Sequence, residues 1–185
     1  MGWGACAKAG AEEEASLVIR MMNGDGVEPN VVLYSSYLSM FAATGARGDR
    51  RAPYKAIQAL DEMRALGLTP NEYTYSSVIA SCASVSKQIG CQAAVDLGCS
   101  LIAAMRRDVL QVTAVPYNTL LAGSARAVGG DDAAMDVCWQ LFGDMRTQGV
   151  AKTVVTYTTL IDAGARALDE RILDQGMQLL REMKE

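Results

Sequence analysis

The hexapeptide TYTTLI at residues 156–161 decides the fold, because it occurs in four related copies along the chain. The other copies are LYSSYL at 33–38, TYSSVI at 74–79 and PYNTLL at 116–121. They align on four tyrosines separated by 41, 42 and 40 residues, namely Tyr34, Tyr75, Tyr117 and Tyr157. Self-similarity at a period of roughly 20 to 50 residues is typical of solenoids and other repeat arrays.

A second landmark, a methionine within an apolar stretch, keeps the same period. Its members are Met22, Met63, Met105, Met145 and Met183. Around them apolar residues recur at helical spacing, as in Ile57, Leu60 and Met63. Segments such as GLTPN at 67–71 then place a glycine and a proline where a helix would end. We therefore expect the methionines in the core of second helices.

The landmarks predict an all-α fold, an α-solenoid of stacked helix-turn-helix repeats in a right-handed superhelix. First helices are expected at 31–44, 72–84, 114–128 and 154–168, and second helices include 53–66, 133–148 and 171–184. The predicted units are a truncated repeat at 1–30, repeats at 31–71, 72–113 and 114–153, and a C-terminally truncated repeat at 154–185. Because both ends cut through a repeat, we expect a piece of a longer solenoid.

Composition excludes several classes of enzyme and of site. The 185 residues include no histidine, the commonest general base and zinc ligand. The five cysteines form no Cys-x-x-Cys pair and are interpreted as small buried hydrophobes in a reducing compartment. No apolar run approaches the ~18 residues of a membrane span. With a net charge of −4, any nucleic-acid binding would depend on locally placed groups and not on bulk charge.

Two kinds of charged segment have structural interpretations. The acidic runs at 12–14 and 131–132 fall at the starts of second helices, where carboxylates complement the helix dipole. The one dense basic cluster consists of Arg47, Arg50 and Arg51. A solvated loop is its default interpretation, and contact with phosphate is the alternative.

The residues resemble the pentatricopeptide repeat family. The closest similarity is in VVTYTTLIDAGARAL at 154–168 and RILDQGMQLLREMKE at 171–185, against the family's V-T-Y-N/T-T-L-I and L-x-E-M-K. ACAKAG at 5–10 and DEMRALGLTPN at 61–71 are also similar to it. The units of 40 to 42 residues exceed the family's usual length of about 35. The extra residues are assigned to the turns between helices, at 45–53, 84–90, 128–132 and 168–170.

The resemblance implies sequence-specific binding of single-stranded RNA, one base per repeat, along the first helices. The residue after each tyrosine and the last residue of the unit are then expected to read the base edge: Ser35 with Asn71, Ser76 with Thr113, Asn118 with Thr153, and Thr158 with a partner beyond the end. Apolar side chains two residues before each tyrosine are expected to wedge between bases: Val32, Tyr73, Val115 and Val155.

The family's code implies adenine for Ser35 with Asn71, a purine for Ser76 and for Thr158, and a pyrimidine for Asn118. Helix capping is the alternative role for the hydroxyl residues that follow the tyrosines.

The implied protein is a non-catalytic factor in the processing, stabilisation or translation of RNA in a chloroplast or mitochondrion. Single-stranded RNA is the expected partner, possible further partners are proteins of an organellar complex, and no membrane, small-molecule substrate, metal or cofactor is expected. The alternatives are a protein-interaction scaffold, such as a structural subunit of an organellar ribosome, and the repeat part of a protein-only ribonuclease P.

Overall fold

The computed structural model describes residues 29–169, together with Leu17, Ile19, Met21, Arg171, Leu179 and Arg181. Residues 29–169 form eight α-helices and no strand. The helices are α1 Val31–Ala46, α2 Ala52–Ala65, α3 Glu72–Ser84, α4 Ser86–Ile89, α5 Cys91–Arg107, α6 Ala114–Ala127, α7 Ala134–Thr147 and α8 Val154–Ala167. Most of the predicted unit at 1–30 and of the helix at 171–184 lies outside the described residues, as do the acidic run at 12–14, Cys6, Met22 and Met183.

The predicted all-α solenoid is confirmed by the order of helix contacts. The first helices α1, α3, α6 and α8 form a row in which each contacts the next, and α2, α5 and α7 pair with α1, α3 and α6 as second helices. Each first helix begins within one residue of its expected start. Within residues 29–169, apolar stripes that one helix pair could not bury alone are covered by the neighbouring pair.

The two sequence landmarks lie in the core. The side chains of the four repeated tyrosines are at most 7% exposed. Met63, Met105 and Met145 are at most 1% exposed. The four described cysteines form no disulfide, and Cys82, Cys91 and Cys138 are buried, which raises the pKa of each thiol to about 12.

One inserted segment differs from expectation. Residues 84–90 are not a simple loop, because Ser86–Ile89 forms the short helix α4. Val85 and Ser86 are buried, so this insertion packs between α3, α5 and α6 instead of extending into solvent. Apolar burial of Val85, which the sequence pattern did not reveal, explains the difference.

Aspartates at the starts of second helices bond to the preceding pair. Asp131 accepts hydrogen bonds from the backbone N–H of Ala133 at 3.0 Å and from that of Cys91, in the previous second helix, at 2.8 Å. The bond from Cys91 is the main cause that lowers the pKa of the Asp131 carboxyl. Asp169 likewise accepts from the Trp139 indole at 3.2 Å. Asp131 therefore lies in the turn before α7 and joins two repeats.

A second polar link joins successive repeats at the other end of the second helices. The hydroxyl of Tyr75 donates to the Asp108 carboxylate at 2.5 Å. The Arg64 guanidinium donates to the Tyr75 hydroxyl and also to the Asp108 carboxylate, the latter at 3.2 Å. The hydrogen bond from Tyr75 is the first cause that lowers the pKa of Asp108. Burial and the Asp108 carboxylate raise the pKa of Tyr75 to about 12.

Among the described helices, none is long and apolar enough to cross a membrane.

The first helices α3 and α6 approach each other backbone to backbone. A Cβ added at Gly123 of α6 would lie 2.7 Å from the carbonyl oxygen of Ala83 in α3 and 2.9 Å from its Cα. By contrast, a Cβ added at Gly143 of α7 would have no such neighbour within 4 Å. The two glycines both lie within helices, so they form a matched pair.

We expect Gly123→Ala to lower the free energy of unfolding by about 1 to 2 kcal/mol, because overpacking costs about 1 to 3 kcal/mol against a helix-propensity gain of about 0.5 to 1 kcal/mol. Gly143→Ala should raise it by about 0.5 to 1 kcal/mol. Urea denaturation of both variants measures the difference. Equal stabilisation by the two alanines would contradict the close approach of α3 and α6.

Candidate nucleic-acid interface

A row of exposed apolar side chains marks the edge at which the first helices begin. Val32 is 74% exposed, Tyr73 61%, Val115 58% and Val155 57%, although each lies next to the buried core. Each stands in the first turn of its helix, and the helices lie side by side. The four residues expected to wedge between bases therefore share one edge, which we call the wedge row.

The residues that close each repeat are the N-caps of the following first helix. The side chain of Asn30 accepts a hydrogen bond from the Leu33 N–H, and that of Asn71 accepts one from the Thr74 N–H, both at 2.9 Å. Thr153 caps α8 in the same way through the Thr156 N–H, whereas Thr113 caps α6 through the Val115 N–H, two residues on. The capping role that the sequence left open for the residues after the tyrosines thus belongs to the closing residues.

The predicted pair Ser35 and Asn71 meets through a third residue. The hydroxyl of Thr74 lies 3.2 Å from that of Ser35 and donates to Oδ1 of Asn71 at 2.9 Å. It also accepts from the backbone N–H of Asn71 at 3.2 Å, which completes a capping box. Asn71 is exposed, whereas Ser35 is only 5% exposed. Within this pair, the amide of Asn71 is therefore the accessible group.

The pair Asn118 and Thr153 has an equivalent arrangement around Thr156. Nδ2 of Asn118 donates to Oγ1 of Thr153 at 3.1 Å, and Oγ1 of Thr156 donates to Oδ1 of Asn118 at 2.7 Å. Oγ1 of Thr156 also accepts from the backbone N–H of Thr153 at 3.0 Å. Asn118 is half-buried and Thr153 exposed, so this pair faces the same edge as Asn71.

The pair Ser76 and Thr113 lies in a different setting. Both residues line an open cavity of about 330 Å³ together with Tyr73, Val115 and Pro116. Pro116 occupies the position of Thr74 and Thr156 but has neither a hydroxyl nor an N–H group. The Thr113 hydroxyl accepts from the Val115 N–H at 3.4 Å.

The remaining predicted reader, Thr158, is exposed near two arginines. It lines a groove of about 380 Å³ whose other members include Arg126, Asp162 and Arg166. Its hydroxyl donates to the carbonyl of Val154 at 2.8 Å within α8. Arg166 donates to Asp162 at 2.8 Å, so that carboxylate offsets part of the local positive charge.

The basic cluster of the α1–α2 turn lies away from this edge. Arg47, Arg50 and Arg51 are exposed, and they follow the C-terminal end of α1. Ser35 stands near the beginning of the same helix, about 18 Å along its axis at 1.5 Å per residue. The turn and the wedge row are therefore separate surfaces.

Sequence reasoning missed the two threonines that join the predicted pairs. The signal was available, because Asn71 precedes Thr74 by three residues and Thr153 precedes Thr156 by three, the spacing of a capping box. Pro116 breaks this pattern in the repeat between them.

The chain is similar to known proteins in both sequence and fold. A family model described as a pentatricopeptide repeat domain matches residues 4–44 and 140–185. The chain is 35% identical over 78 residues to pentatricopeptide repeat-containing protein 10, chloroplastic, from Zea mays. That match covers 42% of this chain and 9% of the maize protein.

Three solved structures are similar in fold. The maize protein PPR10 has a TM-score of 0.68 at 21% identity, covering 98% of this chain and 24% of PPR10. PPR10 in complex with an 18-nucleotide psaJ RNA element has a TM-score of 0.61 at 28% identity, covering 90% and 22%. The PPR domain of Arabidopsis thaliana protein-only RNase P 1, in complex with tRNA, has a TM-score of 0.67 at 15% identity, covering 98% and 85%.

Proposed function

Since this chain belongs to the pentatricopeptide repeat family, we propose that it binds single-stranded RNA base-selectively along the edge that carries the wedge row. The observation that supports this most strongly is the pairing, repeat by repeat, of an exposed apolar side chain with hydroxyl or amide groups. Unstacked bases offer both a π-face and a hydrogen-bonding edge, which these two kinds of side chain complement.

Electrostatics in this proposal is local. The net charge of −4 opposes the approach of a polyanion, so phosphate contacts would come from placed cations such as Arg126 and Arg166 beside Thr158. Affinity would then depend on stacking and base-edge contacts more than on counterion release. A shallow dependence of affinity on salt is the expected consequence.

The proposed role is binding alone, in the processing, stabilisation or translation of an organellar transcript. The chloroplastic maize relative supports the organelle, and the RNA bound to PPR10 and to the ribonuclease P domain supports the ligand. A scaffold within an organellar ribosome or complex is the second candidate, favoured by the acidic net charge. It would co-purify with a large assembly and show no base preference.

A binding assay with a randomised single-stranded RNA pool at low salt tests the proposal. We expect Tyr73→Ala to weaken binding to the selected RNA about 5- to 150-fold, because stacking on an aromatic ring contributes about 1 to 3 kcal/mol per base. Tyr54→Ala is the matched control, since Tyr54 is 55% exposed on α2 and outside the wedge row. Failure of the unmodified chain to bind any member of the pool would refute the proposal.

The exchange Asn71→Asp tests base reading without removing the cap, because Asp and Asn are comparable N-caps. We expect the preferred base facing repeat 31–71 to change from adenine to guanine, while thermal stability stays within about 0.5 kcal/mol of the original. Sequencing the RNA retained by each protein measures the change. Unchanged preference at every position would show that Asn71 caps α3 and does nothing more.

A further inference from the structure

The hydroxyl of Thr74 has a fully determined set of hydrogen bonds. A hydroxyl has one proton to donate and two lone pairs to accept with. Thr74 donates to Oδ1 of Asn71 and accepts from the Asn71 backbone N–H. The contact with Ser35 at 3.2 Å must therefore be donated by Ser35, which retains only lone pairs.

The amide of Asn71 is fixed by the same network. Its Oδ1 accepts from both the N–H and the hydroxyl of Thr74, each at 2.9 Å, which occupies both lone pairs. The amide cannot be turned over, because the Thr74 N–H can only donate. Asn71 therefore presents the two hydrogens of Nδ2, and repeat 31–71 presents donors at its exposed tip.

Thr156 has a different effect on the repeat before it. The Thr156 hydroxyl donates its proton to Asn118 and accepts from the backbone N–H of Thr153. Its remaining contact, with the Thr153 hydroxyl at 3.3 Å, must therefore be donated by Thr153. That hydroxyl also accepts from Nδ2 of Asn118 at 3.1 Å and from the Thr156 N–H at 3.4 Å. Its hydrogen-bonding capacity is used up, and Asn118 keeps one donor and one acceptor.

Repeat 72–113 lacks such a device. Pro116 supplies no hydroxyl, so the protons of Ser76 and Thr113 stay free to turn toward or away from the cavity that both residues line. This repeat can present either a donor or an acceptor.

We propose that the residue before the tyrosine of the following repeat, Thr74 or Thr156, is a positioning residue that sets which hydrogen-bond donors and acceptors the base-reading pair presents. This inference rests on the proposed function, and it deepens it. At the centre of the Watson–Crick edge adenine N1 and cytosine N3 accept, whereas guanine N1–H and uracil N3–H donate. The donors fixed on Asn71 thus select adenine and cytosine. In repeat 114–153, Asn118 contacts the base edge alone, because the hydrogen bonds of Thr153 are all used within the protein. Repeat 72–113 discriminates weakly between bases.

The test uses the whole chain and the best RNA from the pool, remade with each of the four bases at one position at a time. Thr74→Val keeps the backbone N–H that orients the Asn71 amide, but it frees the second lone pair of Oδ1 and the proton of Ser35. Because the pair can then also accept from guanine or uracil, we expect the preference for adenine and cytosine over guanine and uracil to fall from about tenfold to below about threefold at the position facing repeat 31–71. Preferences at the other positions and the salt dependence should not change. Thr74→Ser keeps the hydroxyl and should restore the preference.

Two further variants separate positioning from stability. Thr44→Val removes a threonine hydroxyl that donates to the Phe41 carbonyl in α1, and it should leave every base preference intact. Pro116→Thr restores the spacing of Thr153 and Thr156, and it should increase discrimination several-fold at the position facing repeat 72–113. This gain does not depend on whether Thr74→Val folds.

The outcomes distinguish the inference from the proposed function. Retained discrimination in Thr74→Val, or unchanged discrimination in Pro116→Thr, overturns the inference while RNA binding stands. If the unmodified chain binds no RNA, the proposed function and the inference fall together.

Discussion

The close approach of successive first helices is the constraint on which the rest of the structure depends. At Gly123 the backbones of α3 and α6 leave no room for a Cβ, and a packed backbone contact of this kind fixes both the distance and the rotation between neighbouring helices. Because α3 and α6 are held in this way and all four first helices contact one another in order, residues at equivalent positions fall in a row. The exposed edge of Val32, Tyr73, Val115 and Val155 is therefore a consequence of core packing.

Under the proposed function, the closing residue of each repeat would combine two roles that usually belong to different side chains. As an N-cap, Asn71 satisfies a backbone N–H that the first turn of α3 leaves without a partner. The same bonds orient its amide, so the stability of the helix and the presentation of a hydrogen-bonding group arise from one geometry. A base would meet a group whose orientation has already been fixed during folding, which lowers the entropy lost on binding.

The sequence was sufficient for the period, the helices and the buried tyrosines and methionines, because each repeats at fixed spacing and depends on local periodicity. Helix α4 was not predicted, since burial of Val85 depends on tertiary neighbours that spacing alone does not reveal. The positions of the candidate site residues could be predicted by alignment with the tyrosines. The burial of Ser35 and its contact with Thr74 could not be predicted in this way. These depend on how two consecutive repeats face each other, a relation that no single repeat contains.

RNA binding along the edge where the first helices begin is the proposal that unites these features. A titration of valine-methyl-labelled protein with single-stranded RNA, followed by nuclear magnetic resonance, tests it most directly. The largest chemical-shift changes are expected at Val32, Val115 and Val155, while the resonances of the buried methyls of Val95 and Val137 in the second helices should not change. Changes that concentrate on Val95 and Val137 in the second helices would contradict binding at this edge.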